Sequence, residues 1–114
     1  MPYISTKTNI ELAKDKRDAL AAKYGEIISI VPGKTERWLM LSFDGGAEMY
    51  FGGRGDEPMA YIELSLFGGT SDAVYDKLTA AVCDILSEDA GVPSDRSYVK
   101  FEFSDKWGYD GYMF

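Results

Sequence analysis

A chain of 114 residues, 46% apolar and 27% charged, has the size and balance of one globular domain spanning residues 1–114. Its net charge of −7 argues against a nucleic-acid partner, because phosphate binding wants a basic footprint. The absence of histidine removes the usual general base near neutral pH, the imidazole metal ligands and any Ser-His-Asp triad, and a single cysteine allows neither an intrachain disulfide nor a CxxC pair.

Pro2 to about Thr8 alternates and reads as a strand. Leu20, Tyr24, Ile27, Ile28 and Val31 then recur at helical spacing. That helix is expected to start in the charged stretch after Ile10 and to stop at Pro32-Gly33. Trp38–Phe43 (WLMLSF) reads as a buried strand, and the glycine-rich stretch after it as loop with one short strand at Glu48–Phe51. The plan then repeats. Met59–Phe67 reads as a strand, and Val74, Leu78, Ala81, Val82, Ile85 and Leu86 as a helical stripe ended by Gly91-Val92-Pro93. Ser97–Phe103 alternates as a strand with Tyr98, Lys100 and Glu102 on one face. The tail WGYDGYMF is expected to form a short edge strand.

The order β-α-β, β-α-β predicts an α+β fold: two β-α-β units forming a four-stranded mixed sheet with two helices on one face. MPYIS is echoed by MAYIE at Met59, a short internal repeat. The second sheet face lacks a cover within the chain, and apolar residues are plentiful enough that oligomerisation is the expected cover. No apolar run approaches the roughly 20 residues that span a bilayer. MPYISTKTN carries no secretory pattern, so the expected location is cytoplasmic, with no membrane partner.

Methionine before a small residue is a good substrate for removal, and removal would leave Pro2 as a free secondary amine. Burial and a neighbouring cation would both lower its pKa from the usual ~7.7–8.0, leaving a neutral base able to take a proton α to a carbonyl. A retained Met1 would instead make the Pro2 nitrogen a tertiary amide with no basicity.

Seven short motifs then fall in a suggestive order: Met1-Pro2, Thr8-Asn9, Gly33-Lys34, Phe51-Gly52-Gly53, Glu57-Pro58, Asp95-Arg96-Ser97-Tyr98 and Trp107-Gly108-Tyr109. With them the chain resembles, over essentially its whole length, the macrophage migration inhibitory factor branch of the tautomerase superfamily. The resemblance implies a homotrimer whose sheets line a central barrel, with sites between subunits. It implies a cofactor-independent, metal-free keto–enol tautomerase acting on a small aromatic α-keto acid such as phenylpyruvate. In it Pro2 is base and then acid. Lys34 binds the substrate carboxylate together with the backbone N–H of Phe67, and Tyr98 reaches a neighbour's pocket. Lys100 replaces the mammalian asparagine, either as a second cation for the acid or as a solvated rim lysine. Tyr3, Trp38, Trp107, Tyr109 and Phe114 are candidate walls.

The mammalian CxxC is missing, since MAYI stands in its place, and Cys83 on the second helix is read as structural or inert. The loop after Phe67 is shorter than in the mammalian proteins. A second reading is a cytokine-like effector that binds a host receptor after non-classical release, its tautomerase pocket vestigial. A third, decarboxylation or dehalogenation of a small acid, would need extra arginines near the proline. Arg17, Arg37, Arg54 and Arg96 form no such pattern in the sequence.

Overall fold

The computed structural model describes all residues from Met1 to Phe114. Strand β1 (Pro2–Thr8) is followed by helix α1 (Lys14–Ile27), strands β2 (Met40–Asp44) and β3 (Ala60–Phe67), helix α2 (Asp72–Ala90) and strand β4 (Ser97–Ser104). The last two short strands are β5 (Gly108–Tyr109) and β6 (Tyr112–Met113). The main sheet has the order β2-β1-β3-β4. Strands β1 and β2 run parallel, β3 and β4 run parallel, and β1 meets β3 antiparallel. Each β-α-β unit is therefore internally parallel, and the two join through one antiparallel seam.

That seam gives the sequence echo a geometric meaning. The MPYIS/MAYIE echo makes Ser5 the counterpart of Glu63, and these two residues face one another in the β1–β3 register. They mark the local pseudo-twofold that relates the two units. Along the seam Pro2, Ile4, Thr6 and Thr8 alternate inward, as do Ala60, Ile62, Leu64 and Leu66. Both helices lay their stripes on this face. Leu20, Tyr24, Ile28 and Val31 from the first unit pack with Leu78, Val82, Ile85 and Leu86 from the second. Thr6 and Tyr24 satisfy one another in the core, their hydroxyls 2.9 Å apart, and burial pushes the Tyr24 phenol up to about 12.

The ends of α2 are well specified. Ser71 caps its N-terminus by accepting the Val74 N–H, and Gly91 turns its C-terminus at φ 66°, a conformation that disfavours a side chain. Helix α1 continues through a 3₁₀ turn at Ile28–Ile30, so its stripe reaches Val31 as the periodicity predicts. Gly25 within α1 leaves the space that the Glu36 carboxylate occupies.

Three expectations need correction. Trp38 lies in a 3₁₀ turn, Glu36–Trp38, and β2 starts only at Met40; it is a half-exposed edge strand, because only one of its long sides has a partner. The expected strand at Glu48–Phe51 reduces to an isolated bridge between Phe51 and Arg54. The tail is a self-contained hairpin rather than a lone edge strand. Asp110 (φ 53°) and Gly111 (φ 86°) form its two-residue turn, with both central residues at the positive φ that a tight hairpin of this hand needs.

The sheet face away from the helices mixes polar and apolar groups. It carries Ser5, Lys7, Ser42, Glu63, Lys100 and Glu102, linked in part by Tyr61–Glu63 and Tyr3–Ser42 hydrogen bonds and a Lys100–Glu102 ion pair. Tyr3, Met40, Tyr61 and Tyr98 share that face, and further large exposed apolar groups are Tyr50 in the loop after β2, Phe103 on β4, and Tyr112, Met113 and Phe114 of the tail.

At the sheet end remote from Pro2, Asn9 clamps the entry to β3. Its amide donates to Glu57 O (2.8 Å) and its carbonyl accepts the Met59 N–H (2.9 Å). Asn9→Ala should lower stability by about 1–3 kcal/mol through the unpaired backbone groups, and Leu64→Ala by about 2–5 kcal/mol through loss of core packing. Urea denaturation checks both, with Tyr112→Ser at an exposed position as a near-neutral control.

Candidate active site

The start of β1 opens onto a cavity of about 700 Å³, within the usual range for small-molecule sites. Met1, Pro2 and Tyr3 form its floor with Ser65, Leu39 and Met40 add the β2 side, and Trp38, Trp107 and Tyr109 provide aromatic walls. Trp38 and Tyr109 meet edge to face at 5.2 Å, and Tyr109 in turn stacks on Phe114 at 6.1 Å. The tail hairpin thus closes one side of a cavity whose floor is the chain start.

Lys34 is delivered to the same place by a tight turn. Gly33 adopts φ 81°, and the Lys34 N–H returns to Val31 O at 3.1 Å. The Lys34 ammonium donates to Phe67 O (3.1 Å) and lies 5.7 Å from the centre of the Phe67 ring. The terminal amine of Met1 is lowered from 8.0 to about 6, chiefly by burial and then by the neighbouring Lys34 charge. At neutral pH this amine is therefore largely a free base. The Phe67 N–H is engaged, donating to Met1 O at 3.2 Å.

Of the residues singled out in the sequence, Pro2, Tyr3, Trp38, Trp107 and Tyr109 line this one cavity. Lys34 and Phe67 stand beside the amine, and Phe114 backs the wall through Tyr109 and Phe67. Tyr98 and Lys100 are not brought there within one chain. Pro2 pairs with Leu66 and lies near the end of β3, whereas Tyr98 pairs with Tyr61 near its beginning. Tyr98 packs on Phe51 at 5.2 Å, and Lys100 is tied to Glu102 at 2.9 Å on the exposed face. The Arg96 guanidinium, 5.3 Å from the Phe51 ring centre, bonds Pro58 O at 2.9 Å. The Thr8-Asn9, Phe51-Gly52-Gly53, Glu57-Pro58 and Asp95-Arg96 motifs are thus a structural knot at the other end of the sheet. Cys83 is half-buried on α2, and burial raises its pKa, which keeps it a poor nucleophile.

Sequence reasoning missed both charged side chains of the lining, Arg37 and Lys106, as well as Leu39, Met40, Ser65, Ser104 and Gly108. Each of the two cations stands one residue from an aromatic wall, Trp38 and Trp107, and that adjacency is the only signal the sequence offered.

The family profile described as macrophage migration inhibitory factor matches residues 1–111. The chain belongs to the macrophage migration inhibitory factor family. A family homologue from Trichuris trichiura is 28% identical, with both chains covered in full. One from Brugia malayi is 27% identical across 89% of this chain and 86% of its own. Among solved structures, Leishmania major MIF2 superposes with a TM-score of 0.93 at 27% identity, covering 100% of this chain and 97% of that one. The β-α-β pair, its helix layer and its mixed sheet are therefore a family architecture.

The electrostatics give a direct test. Removing Lys34 as Lys34→Ala takes away the charge but leaves most of the burial, so the Met1 amine should titrate above about 6 yet below 8. Because a depressed base is protonated in the unfolded chain before the folded one, the amine's contribution to wild-type stability should rise as pH increases from about 6 to 8 and be constant below 6. NMR titration of a ¹³C-methylated terminal amine, alongside urea midpoints across that range, reads both.

Proposed function

We propose that this protein is a cofactor-independent keto–enol tautomerase of aromatic α-keto acids, working through the Pro2 amine once Met1 is removed. The observation that carries this reading is a terminal amine, depressed to about 6, on the floor of an aromatic-walled cavity beside a lysine. In a histidine-free chain no other group offers a neutral base at that place near pH 7.

Removal of Met1 moves the chain end by one strand residue, ~3.3 Å, so the new secondary amine stays in the same cavity and near the same Lys34. The neutral amine takes a proton from the carbon next to the substrate carbonyl, that C–H pair moves into the new C=C bond, and negative charge collects on the carbonyl oxygen. Protonation of that oxygen gives the enol, and the reverse sequence returns the proton to carbon. Lys34 holds the carboxylate and supplies positive field where the enolate charge develops. Loss of Met1 also vacates the Phe67 N–H, which then becomes a second donor for the acid. The aromatic walls hold the ring and exclude water.

We read the functional unit as a homotrimer. Exposed apolar side chains gathered at the sheet edges and tail support an assembly that buries them. Tyr98 and Lys100, remote from their own Pro2, could contribute to a site only across a subunit boundary.

With Met1-processed protein, Pro2→Gly should lower kcat/KM for phenylpyruvate by about 10²-fold or more. The wild-type kcat/KM should rise with pH through an apparent pKa below 8, as the amine loses its proton. Intact mass establishes the processing state. A processed wild type without activity, or a Pro2→Gly variant with undiminished rate, would overturn the reading.

A further inference from the structure

The cavity lining contains no carboxylate, in a chain that carries 19 acidic residues against 12 basic ones. It does contain Arg37 and Lys106, in addition to Lys34 next to the terminal amine. Neither Arg37 nor Lys106 is among the ion pairs of the protein, which occupy Lys7, Lys14, Lys23, Arg54, Arg96 and Lys100. Glu36, the sequence neighbour of Arg37, lies over Gly25 of α1. The Arg37 guanidinium is held 4.9 Å from the Trp38 ring centre, and Trp38 is itself wedged against Tyr109. Its charge is thus positioned by a rigid aromatic contact. Lys106 comes from the opposite side, its backbone N–H fixed to the Ser104 hydroxyl at 2.9 Å.

A simple aromatic keto acid carries one negative charge, which Lys34 already answers. Two further unpaired, solvent-reaching cations beside Trp38 and Trp107 have no role in that scheme, and together they give the cavity mouth a positive potential that favours a second anionic group. The geometry points to a dianionic substrate: an α-keto acid whose aromatic or extended body ends in a second carboxylate or phosphate, received by Arg37 and Lys106. This inference deepens the tautomerase reading, since it shares its cavity, and assigns Arg37 and Lys106 as specificity-determining residues.

The test compares phenylpyruvate with 4-carboxyphenylpyruvate on Met1-processed protein. The dianion should be preferred in kcat/KM at low salt by about tenfold, the scale of one charge-assisted hydrogen bond, and the preference should shrink as salt is added. Arg37→Gln and Lys106→Gln should each reduce that preference severalfold, mainly through KM for the dianion, and Arg37→Lys should restore part of it. A parallel binding measurement uses quenching of Trp38 and Trp107 fluorescence by 4-(carboxymethyl)benzoate and by phenylacetate, neither of which is turned over. Tighter binding of the dianion that depends on Arg37 and Lys106 supports the inference even if no tautomerase activity is found. Turnover of phenylpyruvate with no preference for the dianion, or a preference unmoved by both glutamine variants, overturns it while leaving the tautomerase reading intact.

Discussion

The antiparallel register between β1 and β3 is the constraint on which the rest depends. It joins two β-α-β units that would otherwise each present an unpaired central strand. It centres on Ser5 and Glu63, and this centring forces Pro2 opposite Leu66, next to Phe67 and the residues that follow. A slip by one residue would turn Ile4, Thr6 and Thr8 out of the core and carry the chain start away from Lys34. The same hydrogen bonds that stabilise the fold thereby position its terminal amine.

Around that amine, local and global electrostatics have opposite sign. The molecule is strongly acidic overall, yet its cavity presents lysine, arginine and aromatic surface with no carboxylate. Acidic residues are spent elsewhere, on the helices, on the exposed sheet face and in the Arg54 cluster with Asp56 and Glu57. Short-range contacts dominate over distant charge because water and salt screen the latter. Burial then adds to the Lys34 field, and both act in the direction that leaves the amine unprotonated.

Much of this could be read from the chain itself. The helical stripe from Leu20 to Val31, the alternation in Ala60–Phe67 and the Ser97–Phe103 strand follow from periodicity, because each buries one face and exposes the other. Pro2 stands out in the sequence by its chain-end chemistry, whereas Lys34 is picked out only by the family resemblance of Gly33-Lys34; the turn at Gly33 brings it beside the chain start. Errors arose where neighbours decide. WLMLSF is apolar at every position but Ser42, and only its place at the sheet edge makes Trp38 a turn residue at a cavity wall instead of a buried strand residue. Asp110-Gly111 is a strong hairpin signal, and its turn divides the tail into two paired strands where a single edge strand was expected. Arg37 and Lys106 escaped notice because nothing local separates a cavity cation from a solvated one.

The Met1–Phe67 hydrogen bond has a consequence for timing. The carbonyl that accepts from Phe67 N–H belongs to the Met1–Pro2 peptide bond, the bond that the proposed removal of Met1 would cleave. In the folded chain this bond is stitched into the end of the sheet, with the Pro2 ring buried behind it. An aminopeptidase needs the same bond extended and free in its own cleft. Strand β3 is synthesised long after β1, so the nascent chain offers an interval in which Met1 is accessible and its carbonyl has no partner. Under the proposed function, removal of Met1 would therefore compete with folding, and a molecule that folds first would carry a methionine that its own sheet protects.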